Sequence, residues 1–279
     1  MKKILVPCDF TLTAINAFRF ALDVAKQSSG AVHLLYVIEV PILHDTALMP
    51  TLYFEKSFFD ETRANTQKRF EKVNAKFNTR GVSVITKVEF GVPSQVIQNY
   101  TRKQGIDMII MGSHGASGIK EFMIGSNAAK IVRTSSVPVL VIKDRVKGAI
   151  KRIVFPNSLP NDGQVDLIMR IKALQNFFKA QLYVVWINTP LNFTPDTITR
   201  PKLNALAKQF DLKKCTLDVF NYTDHEGGII AYSKMVKGNL IAMGTHGRTG
   251  IAHVFNKSIA EEVVNHVPSP VWTLVTKEK

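Results

Sequence analysis

The amino-acid sequence repeats itself, and the repeat limits the architecture more tightly than composition does. Met1–Phe10, MKKILVPCDF, returns at Ile150–Leu159 as IKRIVFPNSL, 149 residues later. Met108–Gly118, MIIMGSHGASG, returns at Leu240–Gly250 as LIAMGTHGRTG, 132 residues later, and the stretch opening at Ser126 returns at Ser258 with the same offset. Related segments in one order describe a duplicated unit. The second unit is 17 residues shorter, the difference between the two offsets, and the loss falls between its early strand and its glycine motif. The chain of 279 residues thus divides into units at 1–144 and 150–279, with the charged segment Asp144–Lys151 between them. Each is long enough to bury its own core.

Within each unit, short β-branched runs alternate with helical patterns. The strands expected in the first are Lys3–Pro7, Ala31–Ile38, Val82–Val88, Met108–Met111 and Val137–Ile142, mostly continuous apolar runs suited to a sheet buried on both faces. Those in the second are Ile153–Pro156, Gln181–Ile187, Cys215–Phe220, Leu240–Met243 and Val271–Val275. Ile15, Phe18, Leu22 and Ala25 fall at helical spacing over Thr13–Gln27, which stops at Ser28-Ser29-Gly30. Phe70, Val73 and Phe77 mark a second helix, and Pro93 suits the first turn of a third. The pattern predicts two tandem copies of a doubly wound, five-stranded parallel α/β sheet of Rossmann-like type. The apolar strands Val137–Ile142 and Val271–Val275 would be liabilities as bare edges, so the copies are expected to pair through them as a pseudo-dimer.

Composition serves mainly to exclude. A mean hydropathy of +0.04, with no apolar run near the ~18 residues of a spanning helix, predicts no membrane association. The apolar run after Lys2-Lys3 is too short for a secretory signal, so a cytoplasmic location is expected. Net charge is +14, yet no block of five or six like charges occurs, and a solvated basic face is favoured over a specific nucleic-acid site. Cys8 and Cys215 share no metal-binding or disulfide spacing, nor do the histidines form a metal-ligand set.

In doubly wound sheets a ligand lies beyond the carboxyl ends of the strands, where strand order reverses. Asp9 follows the first strand and Gly112-Ser113-His114-Gly115 the fourth; nine residues on, Gly125-Ser126 open a helical run. Glycines admit close backbone approach, and a helix N-terminus attracts phosphate oxygens. Ser126 also suits a plain N-cap. The histidines of the two glycine motifs, His114 and His246, have no carboxylate or nucleophile at a recognisable spacing and suit a loop-packing role. Asp224-His225-Glu226 suits a helix cap, and Phe54, Phe58 and Phe59 suit core or cover for the longer first unit.

Gly112-x2-Gly115-x9-Gly125-Ser126, with Val6-Pro7-Cys8-Asp9 and the Val137–Ile142 run, resembles the universal stress protein family in its ATP-binding branch. The resemblance spans both units. It implies an adenine nucleotide alpha hydrolase-like fold with ATP, or another adenine nucleotide with or without Mg2+, in the first unit. Pro7, Cys8 and Asp9 would border the adenosine, and Val37 would offer backbone groups to the adenine. Met111 and Gly112 would line the ribose, Gly115 would admit the phosphates, and Gly125, Ser126 and Asn127 would hold them. The family pattern is broken in the second unit. Gly244 and Gly247 survive, but Lys257 stands at the third glycine, and Asn157 is taken as the counterpart of Asp9. Both changes argue for a degenerate site. The resemblance implies a stress-response binding protein acting through shape or partners, a second copy of the chain among them. A slow ATPase or phosphoryl-transfer enzyme, and an interaction module without nucleotide, are the alternatives.

Overall fold

The computed structural model describes residues 1–39, 56–77, 79, 81–114, 124–157, 164–246 and 259–276. The first half holds β1 (Lys3–Pro7), α1 (Leu12–Ser28), β2 (Ala31–Ile38), α2 (Lys56–Lys76), β3 (Ser83–Phe90), α3 (Pro93–Gln104), β4 (Met108–Gly112), α4 (Ser126–Thr134) and β5 (Val139–Ile142). The second holds β6 (Arg152–Pro156), α5 (Val165–Phe178), β7 (Gln181–Asn188), α6 (Asp196–Gln209), β8 (Cys215–Asn221), α7 (His225–Met235), β9 (Leu240–His246), α8 (Ile259–His266) and β10 (Val271–Thr276). All ten expected strands form. Two begin later than expected: β3 at Ser83, whose Cα pairs with Ala31, and β5 at Val139, because Pro138 has no N–H to give a ladder.

The strands form one sheet in the order β3-β2-β1-β4-β5-β10-β9-β6-β7-β8. Within each half the ladders are parallel, and strand order reverses between β1 and β4, and again between β6 and β9. The halves meet where expected. β5 pairs antiparallel with β10, Leu140 opposite Trp272, so each covers the apolar edge of the other. The side chains of Val139–Ile142 and Val271–Leu274 are buried, and each aliphatic among them stabilises by roughly 1.5–3 kcal/mol relative to exposure.

The alternation of side chains along each strand divides the core between the two faces of the sheet. Ile4 and Val6 pack with α1 and α5 residues on one face, while Leu5 and Ile109 pack with α3, α4, α7 and α8 residues on the other. Both clusters run through both halves. Phe20 of α1 stacks on Phe178 of α5 at 6.3 Å between centroids, and the Gln27 amide donates to the Phe177 carbonyl. Strand starts are anchored alike in the two halves. Asp107 Oδ2 accepts from the backbone N–H groups of Lys2 and Lys3, and Asn239 Oδ1 accepts from those of Lys151 and Arg152.

Ladder register locates the shortening of the second half. The offset is 149 from β1 to β6, 150 from β2 to β7, 131 from β3 to β8 and 132 from β4 to β9. The second half therefore gains one residue before α5, loses nineteen between β7 and β8, and gains one before α7. The segment with no full counterpart is the long β2–β3 connection that contains α2.

Candidate functional site

At the first switch point the ends of β1 and β4 diverge, and α1 and α4 begin beside them. Main-chain geometry after β1 turns on three residues. Asp9 Oδ1 accepts from the Thr11 N–H at 3.0 Å and from the Thr11 hydroxyl at 2.5 Å, an Asx turn that sets the entry to α1. Thr11 in turn caps α1, its hydroxyl accepting from the Ala14 N–H. Between them Phe10 adopts φ +67°, left-handed backbone that costs a non-glycine residue roughly 1–2 kcal/mol. Packing holds it there: Tyr36 and Phe70 lie 5.3 and 5.1 Å away between centroids, and the Arg69 guanidinium sits 3.9 Å over its ring. Phe70 and Arg69 belong to α2, so the long connection of the first half buttresses the turn that carries Asp9.

After β4 the chain passes close over α1. A Cβ on Gly112 would lie 2.8 Å from Thr13 atoms and 2.9 Å from the Ala14 nitrogen, so glycine is needed here for helix–strand packing. The Thr13 hydroxyl donates to the His114 carbonyl at 2.8 Å. The loop is stitched at its neck. The Gly125 N–H donates to the Ser113 carbonyl at 2.7 Å, and the Ser113 N–H to the Ile142 carbonyl. Gly125 is the N-cap of α4 with φ −61° and ψ 149°, and its carbonyl accepts from Ala129. Ser126 is thus the first helical residue, not the cap that its hydroxyl suggested; the neck hydrogen bond fixes Gly125 in the extended capping conformation. The opening N–H groups of a helix lack intrahelical partners and carry partial positive charge, so α4 presents an anion-binding end.

These elements enclose one cavity of about 310 Å³. Nine of the ten expected residues line it: Pro7, Cys8, Asp9, Val37, Met111, Gly112, Gly125, Ser126 and Asn127. Gly115 lies outside the described residues. The chain elsewhere adds Leu35, Tyr36, Glu39, Pro93, Ile97 and His114, which the sequence did not single out for this place. Tyr36 and Glu39 flank Val37 at the end of β2, and Ile97 lies one helical turn beyond Pro93; position at a strand or helix end was the available signal. The walls are of two kinds, aliphatic around Leu35, Val37, Ile97 and Met111, and polar around Asp9, Ser126 and Asn127. Cys8 is buried, which pushes its thiol up to about 12 and keeps it protonated. Ser113, whose hydroxyl meets His114 Nδ1 at 2.7 Å, is also buried.

The universal stress protein family model matches residues 1–143 and 215–274. The chain belongs to the universal stress protein family. Universal stress protein YxiE of Bacillus subtilis is 30% identical over 145 residues, covering 50% of this chain and 98% of its own. Universal stress protein MJ0577 of Methanocaldococcus jannaschii is 28% identical over 153 residues, 51% of this chain and 94% of its own. A universal stress protein from Archaeoglobus fulgidus matches the whole fold with a TM-score of 0.75 at 19% identity, covering 99% of this chain and 97% of that one. Relatives of half the length and a fold neighbour of full length are what a tandem universal stress protein gives.

The second half of this tandem protein differs at the equivalent place. The Cys8 N–H donates to the Leu35 carbonyl and the Asn157 N–H to the Val185 carbonyl, so Asn157 is the counterpart of Cys8 and not of Asp9. Main-chain pairing fixes that correspondence, whatever the likeness of the side chains. The position of Asp9 falls on Ser158, which lies outside the described residues, as do Gly247 and Lys257. Asn157 Nδ2 donates to Gln164 Oε1 at 3.1 Å. The wall opposite is closed by glycines. Cβ atoms on Gly227 and Gly228 of α7 would lie 2.6 Å from Tyr222 Cε1 and 2.5 Å from Ile187 Cγ2. Ile187 is the counterpart of Val37, and α7 rests on it with no room for side chains like those of Gln95 and Val96 on α3.

Asp224 does cap α7, accepting from the Gly227 N–H at 2.7 Å. Phe59 packs edge-on against Phe90, whereas Phe54 and the Phe58 side chain lie outside the described residues. His266, which shows no metal-ligand spacing in sequence, meets Glu226 and Glu262 so that the ligand atoms of all three lie within 4.8 Å of one another. Among the described residues no helix is long and apolar enough to cross a membrane.

Proposed function

We propose that the first half, residues 1–144, binds ATP or a closely related adenine nucleotide, and that residues 150–279 form a degenerate unit without an equivalent site. The observation that carries this is a first-half cavity that joins an aliphatic slot, the Asp9 carboxylate and the N-terminus of α4. Adenine fits the slot between Val37, Ile97 and Met111, with backbone groups at Val37 available to its edge. Asp9 keeps one carboxylate oxygen beyond the Thr11 turn, which can accept from the ribose. The N–H groups of Ser126 and Asn127 and the Ser126 hydroxyl face the phosphates. Magnesium would arrive on the triphosphate, with Asp9 and Glu39 the carboxylates that line the cavity.

The same cavity favours a binding role over catalysis. Its thiol is protonated, Ser113 is buried, and among the described residues no arginine lines the site to meet charge developing on a transferred phosphoryl group. The protein then acts in the cytoplasm as a stress-response switch, its shape or partners following the nucleotide pool. Titration calorimetry is expected to give one ATP per chain, and mass spectrometry of the denatured protein to release an adenine nucleotide. Two equivalent sites would overturn the degenerate second half, and no binding at all would overturn the function.

A further inference from the structure

We infer that the second half clamps the phosphate-binding loop of the first, with Asn265 as the positioning residue. The inference rests on the nucleotide reading of the first-half cavity. Asn265 lies in the last turn of α8 and is only 5% exposed. Its Oδ1 reaches across the β5–β10 seam to accept the backbone N–H of Ile124 at 2.7 Å. Ile124 is the residue before Gly125, so two consecutive N–H groups of the loop are held, one by each half: Gly125 by Ser113 and Ile124 by Asn265. The next N–H groups, from Ser126 onward, are those that open α4.

Asn265 is itself fixed. Lys143, just after β5, donates its ammonium to the Asn265 carbonyl, and the adjacent His266 bonds to Glu226 of α7 at 2.6 Å. Arg133 of α4 meets Glu261 of α8 at 3.4 Å, a strut between the helix that follows Ile124 and the one that carries Asn265. A partly buried N–H is stabilised by an acceptor, and the acceptor at Ile124 comes from the other half. The duplicated unit thereby acts on the first site without binding ligand of its own: it sets the direction in which α4 meets the phosphates. Adenosine, which carries no phosphate, does not depend on this contact.

The test compares Asn265→Ala, Asn265→Gln and Asn265→Asp in the full chain. Hydrogen exchange over residues 124–128 is expected to quicken at least about tenfold in Asn265→Ala, and the Kd for ATP to rise about tenfold, while that for adenosine stays within about twofold. Asn265→Gln, which keeps the amide but displaces its oxygen, should show the same selective loss if the alanine variant does not fold. Asn265→Asp, which keeps an acceptor at the same reach, should restore slow exchange at Ile124. Unchanged exchange in Asn265→Ala, or equal losses of ATP and adenosine binding, would overturn the clamp. If the unaltered protein binds neither ligand, the proposed function fails and the exchange rates alone decide whether the second half holds the loop.

Discussion

The two switch-point crevices have the same strand order and differ in what the chain puts into them. In the first half, Asp9 is presented by a strained Phe10 buttressed from α2, and α3 stands off far enough to leave a cavity. In the second, the connection that would carry such a buttress is nineteen residues shorter, and α7 closes on Ile187 through Gly228 and on Tyr222 through Gly227. The features common to both halves are those that assemble the sheet: the Asp107 and Asn239 anchors, the proline before the last strand, and the seam itself. Among the described residues both copies keep the scaffold, while the wall over the crevice is built differently in each. Whatever its crevice holds, the second half covers the apolar edge strand of the first.

The largest effect should come from writing a second-half residue into the first. Gly125→Lys places a side chain at the neck of the loop, where the N–H groups of α4 begin. Nucleotide affinity should fall at least about 100-fold, the scale of two lost charge-assisted hydrogen bonds. Gly125 has φ −61°, accessible to any residue, so the stability cost should stay near 1 kcal/mol, the usual cost of a poor N-cap. Undiminished ATP binding by this variant, measured by calorimetry, would mean that lysine is compatible with the site and that Lys257 has to be reconsidered as a ligand.

Asp9→Ala should act less strongly, weakening ATP binding by about 10- to 150-fold, the ~1.5–3 kcal/mol of a hydrogen bond to a charged group. Melting temperature should drop as well, because the Thr11 turn loses its acceptor. Unaltered affinity alongside a lowered melting temperature would confine Asp9 to a structural role and move the adenosine elsewhere.

The smallest effect concerns Cys8, where the second half has Asn157. Burial raises the thiol from 9.0 to about 12, so its stabilising contribution is complete below pH 9 and is lost as pH climbs through about 12. Native Cys8 should resist alkylation at pH 8 while the partly exposed Cys215 reacts first, as peptide mapping after labelling would show. Prompt labelling of Cys8 would indicate that the first crevice opens to solvent far more than its second-half counterpart.

Much of this was legible in the sequence. Continuous apolar runs bounded by Gly, Pro and Ser placed all ten strands, because a strand buried on both faces leaves little other choice. Nine of the ten expected residues line the first-half cavity, and they lie at or near strand and helix ends, where short motifs suffice. The misplacements were local. The cap that the Ser126 hydroxyl suits falls to Gly125 through the neck hydrogen bond, and Asn157, which side-chain likeness pairs with Asp9, is paired with Cys8 by ladder register. In both cases a main-chain partner distant in sequence decided between neighbouring residues.

By itself the sequence determined what is periodic or contiguous: the duplication, the strand–helix alternation, the glycine spacing and the apolar edges that had to pair. Tertiary structure alone decided what depends on residues far apart in the chain. It brought Arg69 over Phe10, set α7 on Ile187, and carried Asn265 to Ile124 across 141 residues. Local propensities act over a few residues, whereas such contacts exist only once ten strands have fixed the register between two halves. The reach of a single side chain, a few ångströms, then settles which half holds which loop.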